Sequence, residues 1–209
     1  MILIDKGPMT NAIKKRNLLA VRATKALAGI FLFPFFRVQT SGSENISENG
    51  SFVLLVKHQR WEDIPLLGLS VKRELYYVAK SELFANPISR CYISSIGGVP
   101  LDRKNPARSH SSIGLITEFL RDGEGIVIFP EGTYFKGHMG PIRVGLIKHI
   151  ISSVPAIFIP VGFEYSGRRW RRSVQIRIGK PIRGEGINDL NRLVDYAGRE
   201  ISRLSGLDL

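Results

Sequence analysis

The stretch Phe-Val-Leu-Leu-Val at positions 52–56 is followed at once by Lys-His-Gln-Arg-Trp-Glu-Asp at positions 57–63. A short, continuous apolar run bounded by polar residues is typical of a strand that is buried on both faces. Five similar runs follow along the chain, at residues 75–79, 98–101, 126–129, 156–161 and 174–178. Their repetition predicts a sheet that other elements cover on both sides.

Helical patterns lie between these runs. Asn105 and Pro106 suit the N-cap and first turn of a helix that runs to Asp122, just before Gly123. After Asn188 a second helix is predicted from apolar residues at helical spacing, namely Leu190, Leu193, Val194, Ala197, Ile201 and Leu204. Strands that alternate with helices predict an α/β fold, with a mainly parallel or mixed sheet flanked by helices.

The composition bounds the size of the protein and the chemistry of its partners. The 209 residues are enough for one domain with a small appendage, and 44% hydrophobic content excludes a disordered chain. The net charge of +12 indicates an anionic partner, which is nucleic acid, a membrane surface or a phosphorylated small molecule. The single cysteine excludes an intramolecular disulfide framework and a cysteine-built zinc site, and it favours a reducing compartment.

Half of this excess charge lies in residues 1–40, which hold seven lysines and arginines against one aspartate. The same segment contains eleven uncharged, mostly apolar residues at positions 26–36. We therefore predict a helical anchor over residues 11–36 that lies in the interface of an anionic membrane, peripheral or monotopic. The alternatives are a helix that packs on the protein's own core and a signal peptide, although the expected cleavage site is missing. Residues 1–40 are thus the predicted anchor, and residues 41–209 are the predicted α/β domain.

Three loops that follow predicted strands carry unusual chemistry, and such loops gather at one edge of an α/β sheet. The first contains His58, a candidate general base, with Glu62 and Asp63 as candidate acids to orient it. Helical spacing favours Glu62 and a loop conformation favours Asp63, so local spacing leaves both open. The second loop ends in Arg103, and the third is Pro-Glu-Gly-Thr at residues 130–133.

Four ordered blocks make a resemblance specific. They are H-x4-D at His58 and Asp63, G-G-V-P-L-D-R at residues 97–103, F-P-E-G-T at residues 129–133 and V-P-A-I-F-I-P-V-G at residues 154–162. Together they resemble the glycerolipid acyltransferase family, typified by 1-acylglycerol-3-phosphate acyltransferase. Residues 41–209 would then be an acyltransferase domain.

The resemblance implies transfer of a fatty acyl group from acyl-CoA or acyl-carrier protein to a lysophospholipid hydroxyl at the cytoplasmic face of a membrane. His58 would be the general base, and Asp63 rather than Glu62 would orient it. The residues implied to bind the acceptor are Gly98, Arg103, Glu131, Gly132 and Thr133. The resemblance implies no metal and no dissociable cofactor, because the acyl carrier is a co-substrate.

The chain also departs from the family pattern. Lys57 stands where a small polar residue often precedes the histidine, and Tyr134 stands where an arginine commonly follows F-P-E-G-T. Arg60, Lys136 or Arg143 could supply the missing cation for the acceptor phosphate. These departures keep a second acceptor open, namely another hydroxylated lipid such as an amino-acid lipid.

The remaining polar signals are weaker. The basic cluster Arg-Arg-Trp-Arg-Arg at residues 168–172 suits a membrane surface or a solvated loop better than nucleic acid. The histidines His110, His138 and His149 show no metal-ligand spacing, and Cys91 is interpreted as a packed hydrophobe. We predict no nucleic-acid partner; a nucleic-acid-binding protein and a non-catalytic lipid-binding protein are the lower alternatives.

Overall fold

A mixed sheet flanked by helices forms the molecule, so the predicted α/β class is confirmed. The computed structural model describes residues 15–103, 105–167, 171–184 and 190–207. Its strands are β1 Phe36–Ser41, β2 Phe52–Val56, β3 Leu75–Lys80, β4 Gly98–Leu101, β5 Gly125–Ile128, β6 Ile157–Ser166, β7 Arg172–Ile178 and β8 Ile182–Arg183. Its helices are α1 Leu18–Leu32, α2 Asp63–Ser70, α3 Pro87–Ser95, α4 Pro106–Arg121, α5 Val144–Ser153 and α6 Leu190–Leu204.

The sheet has the strand order β1-β7-β6-β2-β5-β3-β4, and β8 pairs with β6. Strands β6, β2, β5, β3 and β4 run parallel to one another, so the loops that follow them leave the sheet at the same edge. Strand β7 is antiparallel to β6, and β1 is parallel to β7. The chain therefore enters β1 at the edge where the central strands end, which brings α1 to that edge.

Two hydrophobic clusters lie on opposite faces of the sheet. On one face α4, α5 and α6 pack against alternate residues of the central strands, with Val53 and Leu55 of β2 among them. On the other face α1, α2 and β7 pack against Leu54 and Val56. All five side chains of β2 are buried, which explains why its sequence is apolar without alternation.

The N-terminal segment of the described chain consists of helix α1 followed by strand β1. Asn17 caps α1 through its side chain, which accepts hydrogen bonds from the backbone N–H groups of Leu19 and Ala20. The helix ends at Leu32, and residues 1–14 of the predicted anchor lie outside the described residues. The predicted boundary at residue 40 cuts through β1, because this segment pairs with β7 as a strand of the main sheet. In the described part of the chain, no helix is both long and apolar enough to cross a bilayer.

Candidate active site

His58 and Asp63 form a hydrogen-bonded pair just beyond the carboxyl end of β2. The distance from His58 Nδ1 to Asp63 Oδ2 is 3.2 Å, and the Asp63 side chain is fully buried. Because a carboxylate only accepts hydrogen bonds, Nδ1 is the donor in this contact, and the lone pair of a neutral imidazole then lies on Nε2. Within the described ranges no residue hydrogen-bonds to Nε2. The pair therefore presents a free basic nitrogen, which a general base requires.

The turn before α2 decides which acid meets His58. Asp63 Oδ2 accepts hydrogen bonds from the backbone N–H groups of Gln59 at 2.6 Å and Arg60 at 2.7 Å. Glu62 instead pairs with the guanidinium of Arg60, at 2.8 Å between Oε1 and Nη2. Residues 57–62 are not helical, so the helical count that favours Glu62 does not apply.

A tyrosine that the sequence motifs did not predict donates a further hydrogen bond to Asp63. Tyr165 Oη of β6 donates to Asp63 Oδ1 at 2.5 Å. Tyr165 lies three residues beyond the last of the four family blocks, at the carboxyl end of a strand. Side chains at the carboxyl ends of parallel strands gather at one edge of the sheet, so the position of Tyr165 at the end of a strand is the sequence feature that could have placed it near His58.

The imidazole of His58 lies between two aromatic rings. Phe129 stacks on one side at 3.9 Å between ring centroids, and Tyr134 packs against the ring at 4.3 Å with a tilt of 52°. Tyr134 is the residue that replaces the common arginine, and its contact with His58 gives it a packing role in this chain. Burial raises the pKa of Tyr134, and the negative charges of Asp63 and Glu62 raise it further.

A buried ion pair lies behind the histidine. Lys57 Nζ is 2.6 Å from Glu131 Oε1, and neither side chain is exposed to solvent. The Glu131 carboxylate also accepts from the backbone N–H groups of His58 at 3.1 Å and Gly140 at 2.7 Å. The carboxylate that is predicted to contact the acceptor is thus enclosed by protein donors, which join the loop after β2 to the loop after β5.

Two arginines flank Gly132 on the same edge. An added Cβ at Gly132 would come within 2.9 Å of Arg103 Nη1 and 2.8 Å of Arg143 Nε, and Gly132 adopts a φ of +75°. Arg103 also donates to the carbonyl oxygen of Gly132. Burial lowers the pKa of Arg103, and the positive charge of Arg143 lowers it further. Like charges held this close favour an anion between them.

Arg103 and Arg143 line a cavity that extends to Phe129, one of the two aromatic residues that contact His58. The cavity has a volume of about 350 Å³, and its walls include Arg103, Arg143, Phe129 and His149. Phe129 is the ring that stacks on His58, so the cationic cavity and the base are neighbours.

The other predicted binding residues lie elsewhere. Gly98, which is predicted to bind the acceptor, lines a separate apolar cavity and packs against Ile93. Arg60 is held by Glu62, whereas Lys136 and Thr133 are exposed. Of the three cations considered for the phosphate, Arg143 is the one that lines the cavity with Arg103.

The apolar cavity begins beside the loop of residues 57–63, which carries His58. It has a volume of about 310 Å³, and Ile64 and Pro65, which follow Asp63 directly, form part of its wall. The remaining wall comes from α1, β3 and α3, and Lys25 and Glu74 form an ion pair of 3.0 Å in it. In the described residues no group of three or more histidine, cysteine or acidic side chains is arranged to hold a metal ion.

Comparison with known families agrees with this geometry. The sequence model of the family described as Acyltransferase matches residues 37–164, which include β2, the loop with His58 and Asp63, and β6 up to Glu164. The chain belongs to the acyltransferase family. This confirms the resemblance that the four sequence blocks indicate.

Three named relatives of this acyltransferase-family chain are 29–31% identical to it over the aligned residues. It is 31% identical to the chloroplastic 1-acyl-sn-glycerol-3-phosphate acyltransferase LPAT1 of Arabidopsis thaliana over 77% of this chain and 48% of that protein. It is 29% identical to the 1-acyl-sn-glycerol-3-phosphate acyltransferase of Bacillus subtilis over 69% of this chain and 73% of that protein. The match to lyso-ornithine lipid O-acyltransferase of Rhizobium meliloti has 30% identity, over 57% of this chain and 40% of that protein. The chain thus spans about half the length of the plant relative.

The fold of this acyltransferase-family chain also has a solved counterpart. The crystal structure of the 1-acyl-sn-glycerophosphate acyltransferase PlsC from Thermotoga maritima superposes with a TM-score of 0.69 and covers 88% of this chain and 77% of that chain. The two sequences are 24% identical, so this likeness concerns the fold.

Proposed function

We propose that this chain transfers a fatty acyl group from acyl-CoA or acyl-carrier protein to the free hydroxyl of 1-acylglycerol-3-phosphate. The observation that carries the proposal is the buried Asp63 carboxylate on Nδ1 of His58, next to a cavity with two arginines. The base and the anion site lie at one edge of the sheet, and the apolar cavity begins at Ile64 and Pro65, directly after Asp63. A lysophospholipid needs these three features, because it has a hydroxyl, a phosphate and a fatty chain.

In the proposed reaction, His58 Nε2 takes the proton of the acceptor hydroxyl while the hydroxyl oxygen attacks the thioester carbonyl carbon. The tetrahedral intermediate then collapses, the C–S bond breaks and the imidazolium proton passes to the departing sulfur. Asp63 stabilises the imidazolium in between, as the acid of a serine-hydrolase triad does. The reaction uses no covalent acyl-enzyme and calls for no metal or dissociable cofactor.

In this proposal Arg103 and Arg143 hold the phosphate of the acceptor. Each guanidinium offers a planar set of N–H donors that fits phosphate oxygens. The glycine between them leaves room for the phosphate oxygens, since any side chain there would meet both arginines.

Replacing either arginine by methionine is expected to raise the KM for 1-acylglycerol-3-phosphate about 10–100-fold, because a charge-assisted hydrogen bond is lost. The measurement is initial-rate kinetics with acceptor and donor varied separately. Lys136→Met is the matched control, because this side chain is exposed and outside the cavity. A higher KM for acyl-CoA with an unchanged KM for the acceptor would assign the arginines to the carrier's phosphates instead.

The apolar cavity is the proposed site of the transferred acyl chain. Almost all of its lining is apolar, and it starts beside Pro65 at the base of the catalytic loop. Burial of each methylene of a fatty chain there contributes about 0.8 kcal/mol. The ion pair between Lys25 and Glu74 joins α1 to the segment before β3, so the cavity wall depends on where α1 is seated.

The proposed membrane contact is the outer face of α1 and the turn after it. Leu27, Ile30, Phe31 and Phe33 are each at least 66% exposed, and the side chain of Arg171 lies over the ring of Phe33 at 4.6 Å. Exposed apolar groups beside a cation suit an interface with anionic lipid. The same helix borders the apolar cavity, so a chain could pass from the bilayer to the site.

Substituting Ile30 and Phe31 together by serine is expected to weaken binding to phosphatidylglycerol vesicles at least about tenfold, since each side chain loses its apolar burial. Co-sedimentation measures the effect. Tyr196→Ser is the control, because this exposed residue lies on α6 at the opposite face of the sheet. Undiminished binding would contradict the proposed contact. Point variants are preferable to truncation at residue 40, which would remove most of β1.

An amino-acid lipid is the second candidate acceptor. The similarity to a lyso-ornithine lipid O-acyltransferase and the tyrosine at position 134 favour it. Labelled acyl-CoA and acyl-carrier protein, offered with lysophosphatidic acid and with lyso-ornithine lipid, distinguish the two acceptors. Transfer to the first supports the main proposal, transfer to the second alone supports the alternative, and transfer to neither contradicts both.

A further inference from the structure

Strand β6 reaches past the strand that carries the catalytic loop. Val56, the last residue of β2, pairs with Val161, and β6 continues from there to Ser166. The extra residues run alongside the loop of residues 57–63. This extension is what brings a side chain of β6 to Asp63.

Three hydrogen bonds join the loop of residues 57–63 to successive residues of one side of β6. The backbone N–H of Lys57 donates to Val161 O at 2.9 Å, Gln59 Nε2 donates to Phe163 O at 2.7 Å, and Tyr165 Oη donates to Asp63 Oδ1. The first two fix the position of the backbone. The third differs in kind, because it ends on the carboxylate that faces His58.

The two oxygens of Asp63 are used differently. Oδ2 receives the backbone donors of Gln59 and Arg60 together with His58 Nδ1, whereas the donor to Oδ1 is the hydroxyl of Tyr165. The backbone donors and full burial hold the carboxylate in place without the tyrosine. What Tyr165 adds is a second hydrogen bond to the carboxylate, so that the imidazole is no longer the only side chain that stabilises its negative charge.

We propose that Tyr165 is a positioning residue that acts through Asp63. Its hydrogen bond withdraws negative charge from the carboxylate, so that His58 stays neutral, and able to act as a base, down to a lower pH than it otherwise would. The inference rests on the proposed function of His58. A hydrogen bond to one oxygen of a carboxylate weakens the hold of the other oxygen on a cation, which here is the imidazolium.

The surroundings keep Tyr165 in the donor form. Burial raises the pKa of its hydroxyl well above the usual range, and the charge of Asp63 raises it further. Charged groups on three sides face this cluster. The guanidinium of Arg60 lies 5.6 Å from the Tyr165 ring, and Arg60 and Arg172 lower the pKa of the neighbouring Glu62. The ion pair of Lys57 and Glu131 lies behind His58. Tyr134 faces the carboxylates from the loop after β5. Each of these groups is still present in a Tyr165 variant, so a difference in pH profile reports on the hydroxyl.

The test is the pH dependence of kcat/KM for Tyr165→Phe, which keeps the ring and removes the donor. We expect the acid limb to move to higher pH by about one unit, because the carboxylate then stabilises the imidazolium more strongly. Activity on the acid limb falls about tenfold, while the plateau at higher pH changes less than about threefold. Tyr196→Phe is the matched control, because its hydroxyl is on exposed α6.

The direction of the shift separates this role from a structural one. A variant that merely loosens Asp63 would hold the imidazolium less well, and its acid limb would move to lower pH. An unchanged or lowered limb therefore overturns the inference. If Tyr165→Phe does not fold, Tyr165→Met also lacks the donor and carries the same expectation.

A second readout does not depend on turnover. The NMR titration of the His58 imidazole, assigned with His58→Ala, is expected to move to higher pH in Tyr165→Phe. If the wild-type protein transfers no acyl group but this shift occurs, the proposed function fails and the link from Tyr165 through Asp63 to His58 stands. If the wild-type protein is active and neither the titration nor the acid limb moves, the link itself is wrong.

Discussion

His58→Ala is expected to lower kcat for acyl transfer about 10²–10⁴-fold, because that is the usual contribution of a positioned general base. The imidazole presents a basic nitrogen beside the cationic cavity, one wall of which is the Phe129 ring that stacks on it. The KM values should change little, since both arginines and the apolar cavity are untouched. The measurement is steady-state kinetics with labelled acyl-CoA and 1-acylglycerol-3-phosphate.

Two variants make this result specific. His110→Ala removes an exposed histidine of α4 and should leave the rate unchanged. Asp63→Asn keeps the shape of the side chain but no longer supplies the charge that stabilises the imidazolium, so a large loss in kcat is expected there too. Full activity in His58→Ala would contradict the mechanism, whatever the acceptor.

Lys57→Met is expected to lower the free energy of unfolding by about 3–5 kcal/mol, because it leaves the buried carboxylate of Glu131 without its counter-charge. Both side chains of the pair are inaccessible to solvent, so water cannot screen the remaining charge. Urea denaturation measures the change as a lower midpoint with an unchanged slope.

The double variant Lys57→Met/Glu131→Gln removes both charges and should lose less stability than the sum of the two single variants. Arg203→Met, which breaks the exposed pair with Glu200 on α6, is the matched control and should leave the midpoint unchanged. A midpoint in Lys57→Met that equals the wild-type value would show that the buried pair does not stabilise the fold.

Much of the fold could be predicted from the pattern of apolar residues. Each of the six predicted strands overlaps a strand of the sheet. The observed bounds of β2 and β4 equal the predicted bounds residue for residue. The reason is that strands of a covered parallel sheet must be apolar on both faces, which leaves a strong local signal. Strand β1 was not predicted, because at this edge of the sheet five of its six residues are exposed and its sequence is mixed.

The sequence predicts which residues belong to the candidate site better than it predicts how they are arranged in space. His58, Arg103 and Gly132 stand at strand ends, where sequence alone marks them. Glu131 also follows a strand and Gly98 begins one, yet Glu131 is enclosed in an ion pair and Gly98 lines the apolar cavity. Local sequence does not tell whether a polar residue at a strand end points to substrate or to a neighbouring loop.

The sequence by itself determined the α/β class, the order of the chemistry-bearing loops and the family, because these depend on local apolar runs and short motifs. Local spacing left Glu62 and Asp63 open, and the tertiary structure shows the contact of Asp63 with His58 that the family motif implies. Only the tertiary structure added Tyr165 and paired Arg103 with Arg143. These outcomes depend on how far β6 extends beyond β2 and on how the loop after β5 folds back over His58. Such distances join residues up to about a hundred positions apart, and no local pattern encodes them.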